Sequence, residues 1–221
     1  MFKLNKCLNL CFILTMDLND KQIEILAVAE KLFAEKGFDG TSVRDIAKIA
    51  DINVAMISYY FGSKEKLLEQ LILVRVQDLK IKLENLFEEN LNPFEKIEKF
   101  IEFYIQKVDS NRHMYKIMHF EISSQKRALD MEGFHQIKKD NLVLLTKIID
   151  EGQKMKLFRP QVNIALITPT ILGTYFHFYT NKYYFTSILD FKNDKEFNNY
   201  IKNELTQHIQ MTIKALLTHE N

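Results

Sequence analysis

The sequence predicts an all-α protein, and three observations favour that fold class. Of 221 residues, 47% are hydrophobic, while only 3 are proline and 6 are glycine, so long helices would meet few interruptions. Apolar residues recur at intervals of three and four over most of the chain, as they do on the buried face of a helix. No stretch alternates apolar and polar residues in the way of a half-buried strand. The length allows one large domain or two small ones.

The chain begins with a short apolar run that precedes the first helical pattern. Lys3 and Lys6 stand before residues 8–15, which are uncharged and mostly apolar, as in part of a secretory signal peptide. The run is too short, is interrupted by an asparagine, and is not followed by a small-x-small cleavage site. We therefore expect residues 1–16 to be an N-terminal extension that is disordered, or a mis-assigned start with Met16 as initiator.

Residues 17–36 are predicted to form the first helix, which Gly37 ends as a C-cap. Its apolar stripe consists of Ile25, Val28, Ala29, Leu32 and Phe33. Two short helices then follow, over residues 41–50 and 54–61, with Thr41 as the candidate N-cap of the first. Asp51 and Asn53 separate them, because these residue types suit tight turns. Two helices joined in this way form the helix-turn-helix with which many proteins read the DNA major groove.

The candidate DNA contacts lie on and around the second short helix, whose Ile57 and Phe61 are predicted to face inward. The candidate contacts with base edges are Val54, Ala55, Met56 and Ser58. The candidate contacts with the DNA backbone, or at the helix ends, are Thr41, Ser42, Arg44, Asn53, Tyr59, Tyr60 and Lys64. Phenolic hydroxyls and ammonium groups suit phosphate oxygens. The alternative interpretation is an ordinary helix corner that binds nothing.

Five motifs in this region resemble one known family. They are Ala29-Glu30-Lys31-Leu32-Phe33, Lys36-Gly37-Phe38, Thr41-Ser42-Val43-Arg44-Asp45-Ile46-Ala47, Ile57-Ser58-Tyr59-Tyr60-Phe61 and Ser63-Lys64-Glu65-Lys66-Leu67-Leu68. Over residues 20–70 the chain resembles the N-terminal domain of the TetR (tetracycline-repressor) family of bacterial transcription regulators. The resemblance implies a three-helix DNA-binding domain, an effector-binding helical domain and a homodimer.

The sequence departs from the family pattern where bases would be read. Asp51 stands where glycine is usual, Asn53 replaces a common serine, and Ser58 stands where tyrosine is frequent. The run Val54-Ala55-Met56 replaces a commoner polar-Gly-Thr run. An apolar run of this kind favours contact with thymine methyl groups over bidentate recognition of guanine. The net charge of only +1 means that the positive potential must come from the placement of basic residues.

A long helix is predicted from Ser63 to about Asn90, spanning about 40 Å at 1.5 Å per residue. It would connect the DNA-binding domain, residues 17–65, to a C-terminal helical bundle for ligand binding and dimerisation, residues 66–221, and could act as a lever between them. Pro93 is predicted to start the next helix. The helices predicted for the remainder are 93–109, 111–125, 131–156, 162–186 and 194–218.

Residues 161–181 carry no formal charge, which raises the possibility of a membrane span. A proline, a glycine, four threonines and a histidine make the segment too polar, so we expect a helix buried by a partner subunit instead. The candidate dimer-interface residues are Thr170, Gly173, Thr174, His177, Phe197, Ile201, Leu205 and Ile209. The alternative is that both of these stripes belong to the core of one chain.

Aromatic and methionine residues in the middle of the chain suit an apolar effector cavity between helices. The candidate ligand-binding residues are Phe103, Tyr104, Met118, His119, Tyr175, Phe176 and Tyr179, with plain core packing as the alternative for each. A metal site at His113, His119 and Glu121 is disfavoured, because the two histidines lack i, i+4 spacing. Asp109, Ser110 and His113 are catalytic residue types, but nothing places them around a nucleophile.

These observations predict a cytoplasmic homodimer that binds double-stranded operator DNA and is controlled by an unknown small-molecule effector. The prediction includes no cofactor, no metal, no membrane attachment and no enzymatic activity, and it favours a repressor. The two cysteines, Cys7 and Cys11, cannot form a disulfide framework, which fits a reducing cytoplasm. The alternative is a helical interaction protein that binds protein, or DNA without sequence preference.

Overall fold

The structure, a computed structural model, describes residues 18–124 and 126–218, apart from the side chain of Asp78. The predictions for residues 1–16, including those for Cys7 and Cys11, lie outside these residues. The described chain is helical and contains no strand, so the all-α prediction is confirmed. None of its helices is long and apolar enough to cross a membrane.

The helices are numbered here in chain order. They are α1 (Asp20–Lys36), α2 (Val43–Ile49), α3 (Val54–Phe61), α4 (Lys64–Glu88), α5 (Pro93–Ser110), α6 (Arg112–Ser124), α7 (Glu132–Lys154), α8 (Ile167–Thr180), α9 (Lys182–Leu189), α10 (Asp194–Tyr200) and α11 (Thr206–Leu217). A 3-10 turn, Ile164–Leu166, precedes α8, and a π-helical turn, Ile201–Leu205, joins α10 to α11.

Internal contacts divide the chain into two compact units. The first unit runs to Asp78 and also includes Asn111–Ile137, and the second comprises Leu79–Ser110 and the chain from Lys138 onward. The first unit therefore contains α1–α3, the first part of α4, α6 and the start of α7. The predicted boundary after residue 65 separates the DNA-binding part from the rest by function and stays a prediction. The packing unit that contains the helix-turn-helix has a different boundary and continues to Asp78.

The first unit packs α1, α2, α3 and α4 around one apolar core. Ile25, Ile46 and Ile57 are each at most 1% exposed, one on each of the first three helices. Leu67 and Leu71 of α4 are fully buried against them. Helices α6 and α7 contribute Met114, Ile117 and Phe134 to the same core. The core of the three N-terminal helices is therefore completed by α4, α6 and α7.

Local signals in the sequence set the ends of these helices. The Asn19 side chain accepts a hydrogen bond of 2.9 Å from the amide of Gln22, so α1 begins at Asp20 and not at the predicted Asp17. Gly37 ends α1 and Gly62 ends α3, with φ of 74° and 81°, in the region that favours glycine. The Ser63 hydroxyl accepts from the amide of Lys66 and caps α4.

The second unit is a bundle with α5, α7, α8 and α11 at its centre. Phe100, Ile149, Tyr175 and Ile213 are at most 1% exposed, one on each of these helices. The predicted helix over 162–186 is wrong: α8 ends at Thr180 and α9 starts after Asn181. A local side-chain hydrogen bond accounts for this break, because the Asn181 amide nitrogen donates to the carbonyl oxygen of His177 at 2.8 Å.

Candidate nucleic-acid interface

The first helix of the helix-turn-helix, α2, is capped by Ser42. The Ser42 hydroxyl accepts a hydrogen bond of 3.1 Å from the amide of Asp45, and the Asp45 carboxylate accepts one of 3.1 Å from the amide of Ser42. Hydrogen bonds from the hydroxyl and the amide of Ser42 lower the pKa of the Asp45 carboxyl. This capping box satisfies two backbone amides at the helix start. The prediction that Thr41 caps this helix is therefore wrong.

Thr41 belongs to the interior of the first unit. Its side chain is 1% exposed, and its hydroxyl lies 2.8 Å from the carbonyl oxygen of Gly37 and 3.1 Å from that of Leu32, to which it donates. A hydroxyl buried in this way is not open to a phosphate oxygen. Thr41 is thus corrected from a candidate DNA contact to a residue that holds the loop before α2 against the end of α1.

The turn between α2 and α3 has the geometry that its residue types predict. Asp51 has a left-handed backbone with φ of 50°, which aspartate tolerates better than most residues. The amide of Ile52 donates to the carbonyl oxygen of Ala47 at 3.0 Å and closes the turn. The Asn53 side chain accepts from the amide of Ala55 at 2.9 Å and caps the start of α3.

Helix α3 presents one face to the core and the other to solvent. Ile57 is 1% exposed and Phe61 is 9% exposed, as predicted for the inward face. On the outward face Tyr59 is 81% exposed and Val54 is 37% exposed. Asn53, Ala55 and Ser58 are exposed, and Met56 and Tyr60 are half-buried. The predicted contacts on α3 are therefore brought together on one accessible surface.

Lys64, the first residue of α4, reaches back to the loop before α2. Its ammonium donates to the carbonyl oxygens of Phe38 and Thr41 at 2.9 and 2.8 Å, and it lies 4.1 Å from the centre of the Phe38 ring. Two of its three N–H donors are therefore used within the fold. The side chain has a structural role in addition to the phosphate contact that the sequence predicts.

Ser42 and Arg44 are exposed on α2, as a backbone contact requires. Lys48 is also exposed, four residues after Arg44 on the same helix, but it was not among the predicted contacts. The i, i+4 spacing of two basic residues on one helix face was the signal that could have identified it. Together they place two positive charges beside the turn. This local placement supplies positive potential although the net charge of the chain is only +1.

Comparison with known proteins also indicates a DNA-binding helix-turn-helix protein. Residues 25–71 match the family model described as "Bacterial regulatory proteins, tetR family". Residues 93–213, more than half of the chain, match the model described as "Tetracyclin repressor-like, C-terminal domain". The chain belongs to the TetR family. It is a helix-turn-helix transcription regulator.

Individual relatives share this TetR-family organisation. "Probable HTH-type transcriptional regulator YttP" of Bacillus subtilis is 59% identical over 49 residues, which are 22% of this chain and 24% of that protein. The HTH-type transcriptional repressor KstR2 of Mycobacterium tuberculosis is 24% identical over 159 residues, covering 71% of this chain and 78% of that protein. The regulator FadR of Bacillus subtilis, solved in complex with stearoyl-CoA, superposes with a TM-score of 0.63 at 21% identity, covering 85% of this chain and 96% of that chain.

The candidate dimer-interface residues of this TetR-family chain fall into two groups. On α8, Gly173 and His177 are exposed, and Thr170 and Thr174 are half-buried. The second group lies from α10 to α11 and is buried in the second unit: Phe197 is 1%, Ile201 0%, Leu205 6% and Ile209 1% exposed. These four are corrected to core residues, because their apolar stripe packs within one chain.

The candidate ligand-binding residues also divide, between the two compact units. Met118 packs beside the core of the first unit, and His119 is exposed there. In the second unit Tyr104 and Tyr175 are buried, while Phe103, Phe176 and Tyr179 are half-buried. The structure thus does not bring all seven residues into one unit.

A polar side chain contacts the hydroxyl of each buried tyrosine of the second unit. The Tyr104 hydroxyl accepts from the Asn141 amide at 3.3 Å, and the Tyr175 hydroxyl donates to the Asp109 carboxylate at 2.9 Å. Burial raises the pKa of Tyr104 to about 12, against the opposing hydrogen bonds from Asn141 and Thr168. The Asn141 side chain is 5% exposed, and its carbonyl oxygen has no hydrogen-bond partner. Sequence reasoning missed Asn141, since no periodicity marks a buried amide.

The described residues contain no group of three or more histidine, cysteine, aspartate or glutamate side chains that could hold a metal ion. Glu121, one of the residues considered for a metal, is 4% exposed and pairs with Arg127. Its carboxylate therefore serves an ion pair inside the first unit.

Proposed function

We propose that this TetR-family regulator is a cytoplasmic, homodimeric repressor whose α3 enters the major groove of a palindromic operator. The observation that carries the proposal is the two-sided character of α3: Ile57 and Phe61 anchor it in the core while Tyr59 projects into solvent. An α-helix fits the major groove, which is about 12 Å wide. The exposed residues at the start of α3 are then the ones that reach base edges.

Two sets of side chains contact the operator, one at base edges and one at the DNA backbone. The first set, Val54, Ala55, Met56 and Ser58, contacts base edges, and the apolar run Val54-Ala55-Met56 favours thymine methyl groups. The second set contacts DNA phosphates or lies at the helix starts beside them. It consists of Ser42, Arg44, Asn53, Tyr59, Tyr60 and Lys64, with Lys48 added to the predicted set. Phosphate contacts fix the position of the protein on the duplex, and base contacts supply the sequence preference.

The homodimer is proposed to form through the outward faces of α8 and α11. On α8 this face carries Thr170, Gly173, Thr174 and His177. On α11 it carries the exposed residues His208, Met211, Thr212 and Ala215, which replace the buried stripe of the sequence prediction. Met211 is 64% exposed, a large apolar side chain that a partner subunit would cover. Two DNA-binding units must then lie about 34–36 Å apart to read successive major grooves.

The proposed effector is a small molecule that binds in the second unit and lowers the affinity for the operator. Aromatic side chains around Tyr104 and Tyr175 supply apolar surface, and the unpaired carbonyl oxygen of Asn141 supplies an acceptor for a donor group of the ligand. The FadR relative was solved with stearoyl-CoA, which supports a ligand with a large apolar part. Release of the operator requires that the effector bind the two conformations with different affinities.

The experiment is a selection of bound duplexes from a random library, followed by affinity measurements at two salt concentrations. The selected palindrome should bind about 10³-fold or more tightly than random duplex, and both affinities should fall with salt. Met56→Lys should change the selected sequence while the fold survives. The matched control is Met155→Lys, at a side chain 55% exposed outside the DNA-reading surface. Equal binding of selected and random duplexes by the native protein would refute sequence-specific regulation.

A further inference from the structure

Phe38, in the loop that precedes α2, lies between two cationic side chains. The Lys64 ammonium is 4.1 Å from the centre of its ring, and the guanidinium carbon of Arg127 is 4.2 Å from the same centre. Phe38 is 4% exposed and also packs on Phe33, with ring centres 5.2 Å apart. The ring is therefore held by charges that come from two distant parts of the sequence.

Arg127 also forms two ion pairs with its guanidinium. One nitrogen pairs with the Glu121 carboxylate and the other with the Asp39 carboxylate. The Arg127 side chain is 13% exposed and that of Glu121 only 2% exposed, so the Arg127–Glu121 pair is largely shielded from water. The hydrogen bond from Arg127 lowers the pKa of the Asp39 carboxyl. Arg127 thereby links the end of α6 to the loop before α2.

The residues between α6 and α7 are attached to the first unit at a second point. We call residues 126–131 the strap. The amide of Asp130 in the strap donates to the Glu69 carboxylate on α4 at 2.7 Å. Glu69 is 7% exposed, and Lys66 pairs with its other oxygen at 2.8 Å. The strap is thus fixed at one end to the loop before the helix-turn-helix and at the other end to α4.

The strap lies in a segment that connects the two units along the chain. The chain passes from one unit to the other at residues 78–79, 110–111 and 137–138. Two of these three crossings flank the segment that bears the strap, and only one lies in α4. A change in the second unit can therefore be transmitted covalently to the segment of the strap as well as to the long helix.

We propose that Arg127 is a positioning residue for operator binding, and that the strap holds α2 and α3 in their DNA-reading arrangement through Asp39 and Phe38. The proposal rests on the proposed function, because it concerns the regulation of the same DNA-reading surface. Arg127 acts through the loop before α2 and makes no DNA contact. Loosening of the strap is the event that lowers operator affinity.

The test compares Arg127→Gln with a matched control, Arg75→Gln. Arg75 donates from its Nε to Glu30 at 3.0 Å in the same unit, so both substitutions remove one positive charge, while Arg127→Gln breaks two ion pairs and Arg75→Gln breaks the pair with Glu30. In Arg127→Gln the preference for the selected operator over random duplex should fall about tenfold, in the range of ordinary coupling between sites. The affinity for random duplex and its salt slope should stay as in the native protein, and Arg75→Gln should keep the native preference.

Asp39→Asn breaks the same ion pair at an exposed position, since the Asp39 side chain is 67% exposed. This variant should therefore fold even if Arg127→Gln does not. It should lower the preference for the operator. The double variant Arg127→Gln, Asp39→Asn should have the same preference as Arg127→Gln alone, because both substitutions remove the Arg127–Asp39 ion pair. Two results would overturn the proposal. One is an equal preference in Arg127→Gln and Arg75→Gln, and the other is a salt slope reduced by about one in Arg127→Gln, as for a phosphate contact.

Hydrogen exchange without DNA separates failure of this inference from failure of the proposed function. The amides of residues 42–49 should exchange faster in Arg127→Gln than in the native protein or in Arg75→Gln. If the native protein prefers no duplex but exchange is faster in Arg127→Gln, the structural role of the strap is supported and sequence-specific regulation is refuted. If the native protein prefers the operator but exchange over residues 42–49 is unchanged in Arg127→Gln, the role of the strap is refuted and sequence-specific regulation is supported.

Discussion

The ammonium of Lys64 donates a hydrogen bond of 2.8 Å to the carbonyl oxygen of Thr41, 23 residues earlier in the chain. A second bond of 2.9 Å to the carbonyl oxygen of Phe38 brackets the loop before α2. The first residue of α4 therefore fixes the start of the helix-turn-helix, and its third N–H donor is the one proposed to reach a phosphate. One side chain thus joins the stability of the first unit to its proposed DNA-reading surface.

Lys64→Met should destabilise the first unit by about 2 kcal/mol, the usual size for hydrogen bonds from a charged group. The loss follows because two buried carbonyl oxygens lose their donor and Phe38 loses its cation. The measurement is the free energy of unfolding from urea titration. Lys48→Met, at an exposed position on α2, is the control and should stay within about 0.5 kcal/mol of the native value. Equal effects of the two substitutions would contradict the structural role of Lys64.

Tyr59→Phe should weaken binding to selected and random duplexes alike, by about 2- to 12-fold. This range corresponds to the loss of one hydrogen bond of about 0.5–1.5 kcal/mol. The slope of affinity against salt should not change, because a phenol is neutral. Fluorescence anisotropy with labelled duplexes measures both. The control is Tyr183→Phe, at a side chain 92% exposed on α9, which should bind as the native protein does. A shift in sequence preference in Tyr59→Phe would place this residue at a base instead.

The sequence predicted the helix-turn-helix well because its signals are local. The inward positions Ile57 and Phe61 follow from helical spacing, and the left-handed turn at Asp51 and the cap at Asn53 follow from residue type. Thr41 and Ser42 show the limit of such signals. Both are hydroxyl residues that can cap a helix, and only the packing of the preceding loop decides that the hydroxyl of Thr41 turns inward.

Features that depend on distant parts of the chain could not be predicted in this way. The apolar stripe that contains Phe197 and Ile209 looks the same whether a partner subunit or the same chain covers it, and the structure shows that the same chain does. Arg127 and Asp39 are separated by 88 residues, and no periodicity in one sequence relates two such positions. Their pairing becomes visible only when α6 is packed beside α1.

Gly173→Leu should convert the proposed dimer into a monomer. A Cβ atom added at Gly173 would meet nothing within 4 Å in its own chain, so the larger side chain can be accommodated without a clash in the protomer. In the proposed α8–α11 interface the same side chain would prevent close approach of two helices. Sedimentation equilibrium measures the molar mass, and circular dichroism checks that the helical content is kept.

The matched control for this prediction is Gln106→Leu, which adds the same side chain at an exposed position on α5. It should leave the molar mass and the operator affinity unchanged. Gly173→Leu should in addition bind the palindromic operator only weakly, because a monomer engages one half-site. A dimer of native mass in the Gly173→Leu variant would move the interface away from α8.

The stability of the second unit should fall between about pH 10 and pH 12 because of Tyr104. Burial raises its pKa from 10.0 to about 12 in the folded protein, so at these pH values the phenol ionises in the unfolded chain before it ionises in the folded one. The unfolded state then binds fewer protons, and the free energy of unfolding decreases as the pH rises, by about 2–3 kcal/mol in total. Below pH 10 this group contributes no pH dependence.

Urea titrations across this pH range, for the native protein and Tyr104→Phe, test the assignment. Tyr104→Phe should be less stable below pH 10, since it leaves the Asn141 amide without its 3.3 Å partner. Its difference from the native protein should then shrink as the pH approaches 12, because only the native protein loses the contribution of the buried phenol. Tyr183→Phe, at an exposed phenol, should follow the native curve throughout. A constant difference between the native protein and Tyr104→Phe over the whole range would show that Tyr104 titrates as an exposed phenol does.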